Sequence, residues 1–411
     1  MSYIEQGSIE QKKASFALFL GGFVTFATLY TTQPLMPLFS NQFGVSASIA
    51  SLALSLSTGV LAIAMIAAGA LSDEFGKKKL MIISMFAASL IGIFTALSPN
   101  FWTLLAFRAL LGVFLAGVPA IAMAYVSEEF NPKAIGTAMG LYISGTTIGG
   151  MSGRILTGLL TDLFNWRIAL IIIGIVALAA SITFLFTLPE PRNSEKKHAT
   201  LKEMLFAYKV HSYNRPLLAV ISLGFLLMGG FVTLYNYIGF LLMAPPFSLS
   251  QTFIGFIFVV FLTGTFSAMY MGKKADVYGN PRTLKWSIAI MAAGAVMTLI
   301  PVLSIMIMGI AVFTFGFFGA HSIASAWVGE YAGFNKTQAS SLYLLLYYLG
   351  SSVAGSFGGW FWTHLHWPGV IGLVLAMLGV TVPLIRYAKN HKPGVYSTVK
   401  NKKSSNAANS V

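Results

Sequence analysis

Between Leu71 and Leu80 the chain reads LSDEFGKKKL, with Asp73, Glu74, Lys77, Lys78 and Lys79 crowded into one turn. Only 9% of the 411 residues are charged, and long apolar runs flank this turn on both sides. A chain that avoids charge so strongly, and then concentrates it, marks the place where two apolar helices meet water. What those helices are follows from their length.

Hydrophobic residues make up 56% of the chain and the mean hydropathy is +0.77, far above a soluble globular protein. A bilayer core about 30 Å thick takes roughly 20 apolar residues per helix. Such runs are predicted at 14–38, 47–71, 79–97, 101–126, 135–161 and 166–188. Six more are predicted at 217–243, 251–272, 284–302, 304–328, 338–361 and 368–387. They use most of the chain and leave no sizeable soluble domain. Lipid offers no water to unpaired backbone groups, so open sheets and loops at that depth are excluded. The fold class is an all-α polytopic membrane protein with twelve transmembrane helices.

The formal net charge of +14 raises the question of nucleic acid, and the distribution answers it. With a cytoplasmic N-terminus, all 26 lysines and arginines except Arg108, Arg154 and Arg167 fall in inner segments. That is the positive-inside pattern, so the basicity is topology and no nucleic-acid partner is expected. Cysteine is absent, which removes disulfides and thiol metal sites. The segment MSYIEQGSIEQKK carries two acids and no small-residue cleavage site, which predicts no removable signal peptide.

The chain also repeats itself. GALSDEFGKKK at Gly69–Lys79 recurs as GKKADVYGNPR at Gly272–Arg282, matching Gly69 with Gly272, Asp73 with Asp276 and Gly76 with Gly279. GGFVT at Gly21–Thr25 recurs at Gly229–Thr233, GTTIGG at Gly145–Gly150 recurs as GSSVAG at Gly350–Gly355, and Trp166 is answered by Trp367. Four matches in one order at nearly one offset divide the chain. Residues 1–188 form a first six-helix bundle, 189–216 a cytoplasmic linker, 217–388 a second pseudo-symmetric bundle, and 389–411 a basic, disordered tail. An even-span offset makes the halves parallel repeats, with a substrate site near the midplane between them.

Gly69-x-Leu71-x-Asp73-x-x-Gly76-Lys77-Lys78 closely resembles the loop signature of the Major Facilitator Superfamily, and Gly272-x-x-x-Asp276-x-x-Gly279 its second copy. Arg108-x-x-x-Gly112 resembles the arginine motif of proton-coupled members. Gly145-x-x-x-Gly149-Gly150 with Gly153 resembles the span-five motif of twelve-span drug:proton antiporters, which usually carry proline at the position of Gly150 and glycine at that of Arg154. Cation exporters of that kind commonly hold an acid in span one, where this chain has Tyr30-Thr31-Thr32-Gln33-Pro34. The resemblance implies an inner latch of Gly69, Asp73, Gly76, Lys77, Gly272, Asp276 and Gly279. Asp73 would meet the start of span eleven near Gln338–Ser340, and Asp276 the start of span five near Gly136. A carboxylate at a helix N-terminus gains about 0.3–1 kcal/mol from the macrodipole. Lys77–Lys79 read as topology anchors.

An ionisable residue inside a span is a functional hypothesis by default. Arg108 is the outstanding one, as a substrate or proton-coupling residue or as a helix-bridging arginine. Arg154 either lines the cavity or reaches outward to water. His321 is the intramembrane group with an ordinary pKa near neutrality, hence a proton-coupling candidate beside its reading as a core histidine. Tyr30 and Gln33, Tyr235 and Asn236, Tyr343 and Tyr347, and Tyr142 with Thr146 and Thr147 are assigned to the cavity. Tyr348 and Trp362 are assigned to the aromatic girdle at the lipid interface.

The chain carries no HExxH, GxSxG or GxxxxGK[ST], so neither an enzyme nor a nucleotide-driven pump is indicated. No cofactor and no metal is expected. The reading is a monomeric transporter of the cell (plasma or inner) membrane with both termini cytoplasmic. It exports small organic compounds, anionic, zwitterionic or neutral in preference to cationic, against protons. The alternative is an importer or facilitator of a metabolite.

Overall fold

The structure, a computed structural model, describes residues 3–193, 210–211, 213–332 and 336–391, with the side chains of residues 70, 73 and 337 outside that description. Most of the linker expected over 189–216 and of the tail expected over 389–411 lies outside it too.

Span one is Ile9–Tyr30, followed by a short helix Met36–Phe43. Span two is Ala47–Phe75 and span three Lys77–Ala96. Span four is Phe101–Leu115 continued by Gly117–Glu129. Spans five and six are Pro132–Leu163 and Trp166–Thr187. Span seven is Arg215–Met243, and span eight runs through Gln251–Phe256, a 3-10 turn Ile257–Val260 and Phe261–Tyr278. Spans nine and ten are Asn280–Met297 and Leu303–Tyr331. Spans eleven and twelve form one helical run, Lys336–Asn390, divided at His366 where φ is 52°. Among the described residues the only β pairing is an isolated parallel bridge between Ile4 and Phe130.

Local chemistry sets the helix starts. Ser8, Ser46, Asn100, Asn165, Asn214 and Ser250 each stand one residue before a helix, and each accepts a backbone N–H of its first turn, satisfying donors that have no intrahelical partner. The turns between spans two and three and between spans eight and nine have another origin. Gly76 has φ 91° and Gly279 φ 81°, a region that side chains with a Cβ avoid. The same letter stands in both copies of the charged turn because both turns need the same backbone.

Spans one and five pack backbone to backbone, because a Cβ on Gly145, Gly149 or Gly153 would collide with the carbonyls of Phe19, Phe23 and Ala27. Spans seven and eleven repeat the contact, with Gly350 against the Phe225 carbonyl. The contacts therefore register the halves slightly differently from the GGFVT match, and the internal symmetry survives the correction.

The halves meet at the end away from the lysines. Gly158 and Gly255 bring spans five and eight together, and Ser48, Ser55 and Gly59 of span two lie against Gly359, Gly355 and Ser352 of span eleven. At the basic end, Gly69, Gly136, Gly140 and Gly272 have open space around them, and Leu71 and Phe75 are exposed. The conformation is closed at the opposite end and parted at the basic end.

At the basic end the first half is tied together by ions. Lys77 Nζ meets Glu128 at 2.5 Å, Lys78 Nζ meets Glu190 at 2.8 Å, and Arg192 meets Glu10 at 2.5 Å. The buried Glu129 carboxylate accepts the backbone N–H groups of Arg192 and Asn193. Lys77 is 3% exposed, so beyond the topology anchor expected of it, it is a buried structural partner of Glu128. Residues 190, 192 and 193, assigned to the linker, are held against the first half by these contacts.

Gly76→Ala forces an L-residue to positive φ, and strain of that kind costs of order 1–3 kcal/mol. The detergent-purified variant is expected to melt earlier than wild type. Gly69→Ala, in open space, is expected to stay within about 0.5 kcal/mol. Equal melting temperatures for the two variants contradict the assignment.

Candidate functional site

Span one does not run on through 14–38 as expected. Its helix stops at Tyr30, and residues 31–35, TTQPL, form a turn. Pro34 has no N–H to continue the ladder, and the last carbonyls of a helix lack intrahelical donors. Arg108 supplies donors: its two terminal nitrogens donate to Thr28 O at 3.2 Å and Leu29 O at 2.5 Å, and its Nε donates to Ala53 O of span two at 2.6 Å. Ser57 Oγ donates in turn to the Arg108 carbonyl at 2.7 Å. The side chain is 1% exposed. Arg108 therefore clamps spans one, two and four, and does not offer a free charge to a cavity.

The same turn presents Gln33 to the seam between the halves. Its Oε1 accepts from Arg154 Nε at 2.7 Å, and its Nε2 donates to Asn236 Oδ1 at 2.8 Å. Tyr237 OH donates to Gly355 O at 2.7 Å, and Asn236 Nδ2 reaches the same carbonyl at 3.5 Å. A polar chain thus runs from span five through spans one and seven to span eleven. Arg154 does not reach out to water. It is 2% exposed, its terminal nitrogen donates to Gly150 O at 2.6 Å, and its guanidinium lies 3.8 Å from the ring of Tyr30, 4.5 Å from Phe258 and 5.0 Å from Phe261. Among the described residues no carboxylate pairs with it. Tyr235 joins this cluster by stacking on Phe258 at 5.1 Å, with its hydroxyl 2.6 Å from Thr314 Oγ1.

A second cluster lies between spans ten and eleven. His321 Nδ1 is 2.9 Å from Tyr343 OH, and the imidazole stacks on Phe317 at 5.9 Å and lies tilted against Tyr347 at 4.7 Å. Tyr142 is buried, its carbonyl close to Gly22. Tyr348 is 4% exposed and packs edge-on against Tyr347, which removes it from the lipid girdle. Trp362 is half-buried and packs on Phe240.

The closed end has a latch of its own. Asp162, just beyond the apolar stretch of span five, caps the start of span eight: Oδ1 accepts Gln251 N at 3.3 Å and Oδ2 accepts Thr252 N at 2.7 Å. Burial pushes this carboxyl up, but the donors of Thr252, Ser250 and Gln251 outweigh it and hold the group below the ordinary carboxylate range. At the basic end the corresponding contact of the second copy is apart. Asp276 is exposed with no ion pair among the described residues, and Gly136 has open space around it. The Asp73 side chain lies outside the described residues.

Reading residues alone missed Phe258, Phe261, Thr314 and the Asp162 cap. The 3-10 turn at Ile257–Val260 rotates the apolar run of span eight, so no single helical period indicates which of its rings face Arg154. Asp162 was visible as an acid at a span end. Its partners, backbone N–H groups, carry no letter.

A family model described as Major Facilitator Superfamily matches residues 18–245 and 231–408. The chain is 47% identical to an uncharacterized MFS-type transporter, YybF, of Bacillus subtilis (strain 168), over 94% of this chain and 96% of the relative. It is 42% identical to the inner membrane transport protein YnfM of Escherichia coli (strain K12), over 92% of this chain and 91% of the relative. In fold it is similar to a bacterial homolog of the human lysosomal transporter Spinster, with a TM-score of 0.77 at 15% identity, covering 93% of this chain and 98% of that one.

Arg108→Lys keeps the charge but leaves carbonyls unserved, and a buried polar group without a partner costs about 1–3 kcal/mol. The purified variant is expected to lose thermal stability and to lose transport of every substrate together. Selective loss of one charge class at unchanged stability contradicts the clamp.

Asp162 yields a prediction with a definite sign. A depressed carboxyl stabilises the closed end above its ordinary pKa and stops doing so as pH falls through the depressed one. The contribution of Asp162 to closure is therefore insensitive to pH between 5 and 8. Asp162→Asn removes charge from the helix start, worth about 0.3–1 kcal/mol, and is expected to raise thiol labelling of a Ser55→Cys reporter up to about fivefold. The cysteine-free chain makes that reporter unique. Unchanged labelling contradicts the latch.

Proposed function

The chain belongs to the Major Facilitator Superfamily, and on that premise we propose that this multi-pass membrane transporter is a proton-coupled exporter of small organic compounds. It works as a monomer in the cell membrane with its basic end and both termini cytoplasmic, by alternating access between two six-helix bundles. In the conformer closed at the basic end, Asp73 caps the start of span eleven, and Asp276 caps the start of span five. Those contacts replace the Asp162 cap as the bundles rock. Tyr30, Gln33, Arg154, Tyr235, Asn236, Tyr343 and Tyr347 line the path, with Arg108 and Tyr142 supporting it. The motif in span five, similar to that of drug:proton antiporters, supports export. His321, hydrogen-bonded to Tyr343, carries the proton.

The observation behind the substrate class is Arg154, a buried guanidinium at the seam with no carboxylate partner among the described residues. At an effective dielectric near 20, unit charges 4 Å apart interact by about 4 kcal/mol. Cation–π contacts contribute about 0.5–2 kcal/mol, and the nearest ring faces, those of Tyr30, Phe258 and Phe261, already hold the arginine. An anionic, zwitterionic or neutral acceptor-rich substrate is favoured over a cation.

Flux through proteoliposomes under an imposed pH gradient tests both parts, with an aromatic carboxylate and an aromatic amine of matched size. Wild type is expected to move the carboxylate against protons. Arg154→Gln lowers its kcat/KM about tenfold or more and leaves the amine nearly unchanged. His321→Gln abolishes the response to the gradient while sparing exchange at zero gradient. Efficient amine transport by wild type, unaffected by Arg154→Gln, contradicts the substrate class. A full gradient response in His321→Gln contradicts the proton assignment.

A further inference from the structure

The two copies of the charged turn are neutralised differently. In the first half, Lys77 and Lys78 meet Glu128 and Glu190. In the second half, Glu330 accepts instead from Asn280 Nδ2 at 2.9 Å, and among the described residues neither Lys274 nor Arg282 has a carboxylate partner. These two cations lie on aromatic rings. Lys274 Nζ is 5.6 Å from the Tyr270 ring and 5.7 Å from that of Tyr278, and the Arg282 guanidinium is 5.1 Å from Trp286 and 5.8 Å from Tyr278. Between spans eight and nine, at this basic end, opens a groove of about 510 Å³ with Met271, Ala289 and Ile290 on its apolar wall and Tyr270, Tyr278 and Trp286 beside the charges.

We propose that this groove binds one anionic phospholipid, its acyl chains along Met271, Ala289 and Ile290 and its phosphate between Lys274 and Arg282. Tyrosine and tryptophan at a membrane interface need no ligand to explain them. Two cations with no carboxylate partner among the described residues, Lys274 lining an apolar groove between spans and Arg282 against the rings of Tyr278 and Trp286 at its edge, do call for an anion with a hydrophobic body. Basic pockets between helices are where anionic headgroups bind. The groove adjoins Gly272–Gly279, so an occupant spans the turn that moves when the basic end closes.

The test is native mass spectrometry of the delipidated full chain, titrated with phosphatidylglycerol, cardiolipin or zwitterionic phosphatidylethanolamine. Wild type is expected to retain one anionic lipid in preference to phosphatidylethanolamine. A basic residue near the surface is worth about 1 kcal/mol, so Lys274→Gln with Arg282→Gln lowers that affinity roughly thirtyfold and Lys274→Gln alone roughly fivefold. The single variant carries the comparison if the double one fails to fold. Lys12→Gln with Lys13→Gln, at the same end, leaves retention unchanged. Equal retention by wild type and both Lys274 variants overturns the site, as does equal retention of anionic and zwitterionic lipid. Displacement of the lipid by equimolar glycerol 3-phosphate reduces the groove to a simple anion site and overturns the lipid assignment.

Discussion

The Gln33 side chain has one acceptor end and one donor end, and the closed conformation uses both. It accepts from Arg154 in the first half and donates to Asn236 in the second. An amide can do this only if the backbone carries it out of the helix, and the turn at 31–35 does so. That turn persists because Arg108 satisfies the carbonyls it exposes. In a low-dielectric interior such chains are coupled, since losing one member leaves the others buried and unpaired. The seam, the break in span one and the clamp are therefore one structural unit.

A seam closed by polar groups can open in a way that an oily one cannot. When the halves part, Gln33, Arg154 and Asn236 exchange protein partners for water, and the net change is small beside the gross strength of the bonds. The hydroxyls of Ser55, Ser351 and Ser356, buried without a protein partner, gain by the exchange. Balanced gates are what alternating access requires, because a few kcal/mol between two conformers already leaves one of them a minor state. Asp162 is a carboxylate on a helix start, and the latch proposed for the charged turns at the other end is the same device. The device is modest in energy and sharply dependent on geometry, so it can be made and broken in each cycle.

Much of the fold was legible because it rests on quantities that letters carry directly. Span number follows from apolar length, and polarity of the ends follows from where lysine stands. Gly76 and Gly279 repeat because both turns need positive φ. What stayed hidden depends on groups common to every residue. Arg108 reads as an isolated charge because its partners are backbone carbonyls. Pro34 announces a break in span one but not which side chain the break will aim. Lys77 looks like three similar lysines in a row until Glu128 meets it. Phe258 and Phe261 are two rings in an apolar run until a 3-10 turn brings them under Arg154.

The central claim is that two rigid halves pivot so that one end closes as the other parts. Spin labels can be placed on the exposed positions Phe164 and Phe253 at the closed end, and on Phe75 and Lys336 at the basic end, in the otherwise cysteine-free chain. Electron–electron distance measurements on the two pairs, with and without a pH gradient and substrate, then report both ends. The account predicts reciprocal populations, with the first distance lengthening in the same fraction of molecules in which the second shortens. Distances that stay fixed, or that lengthen together, contradict it.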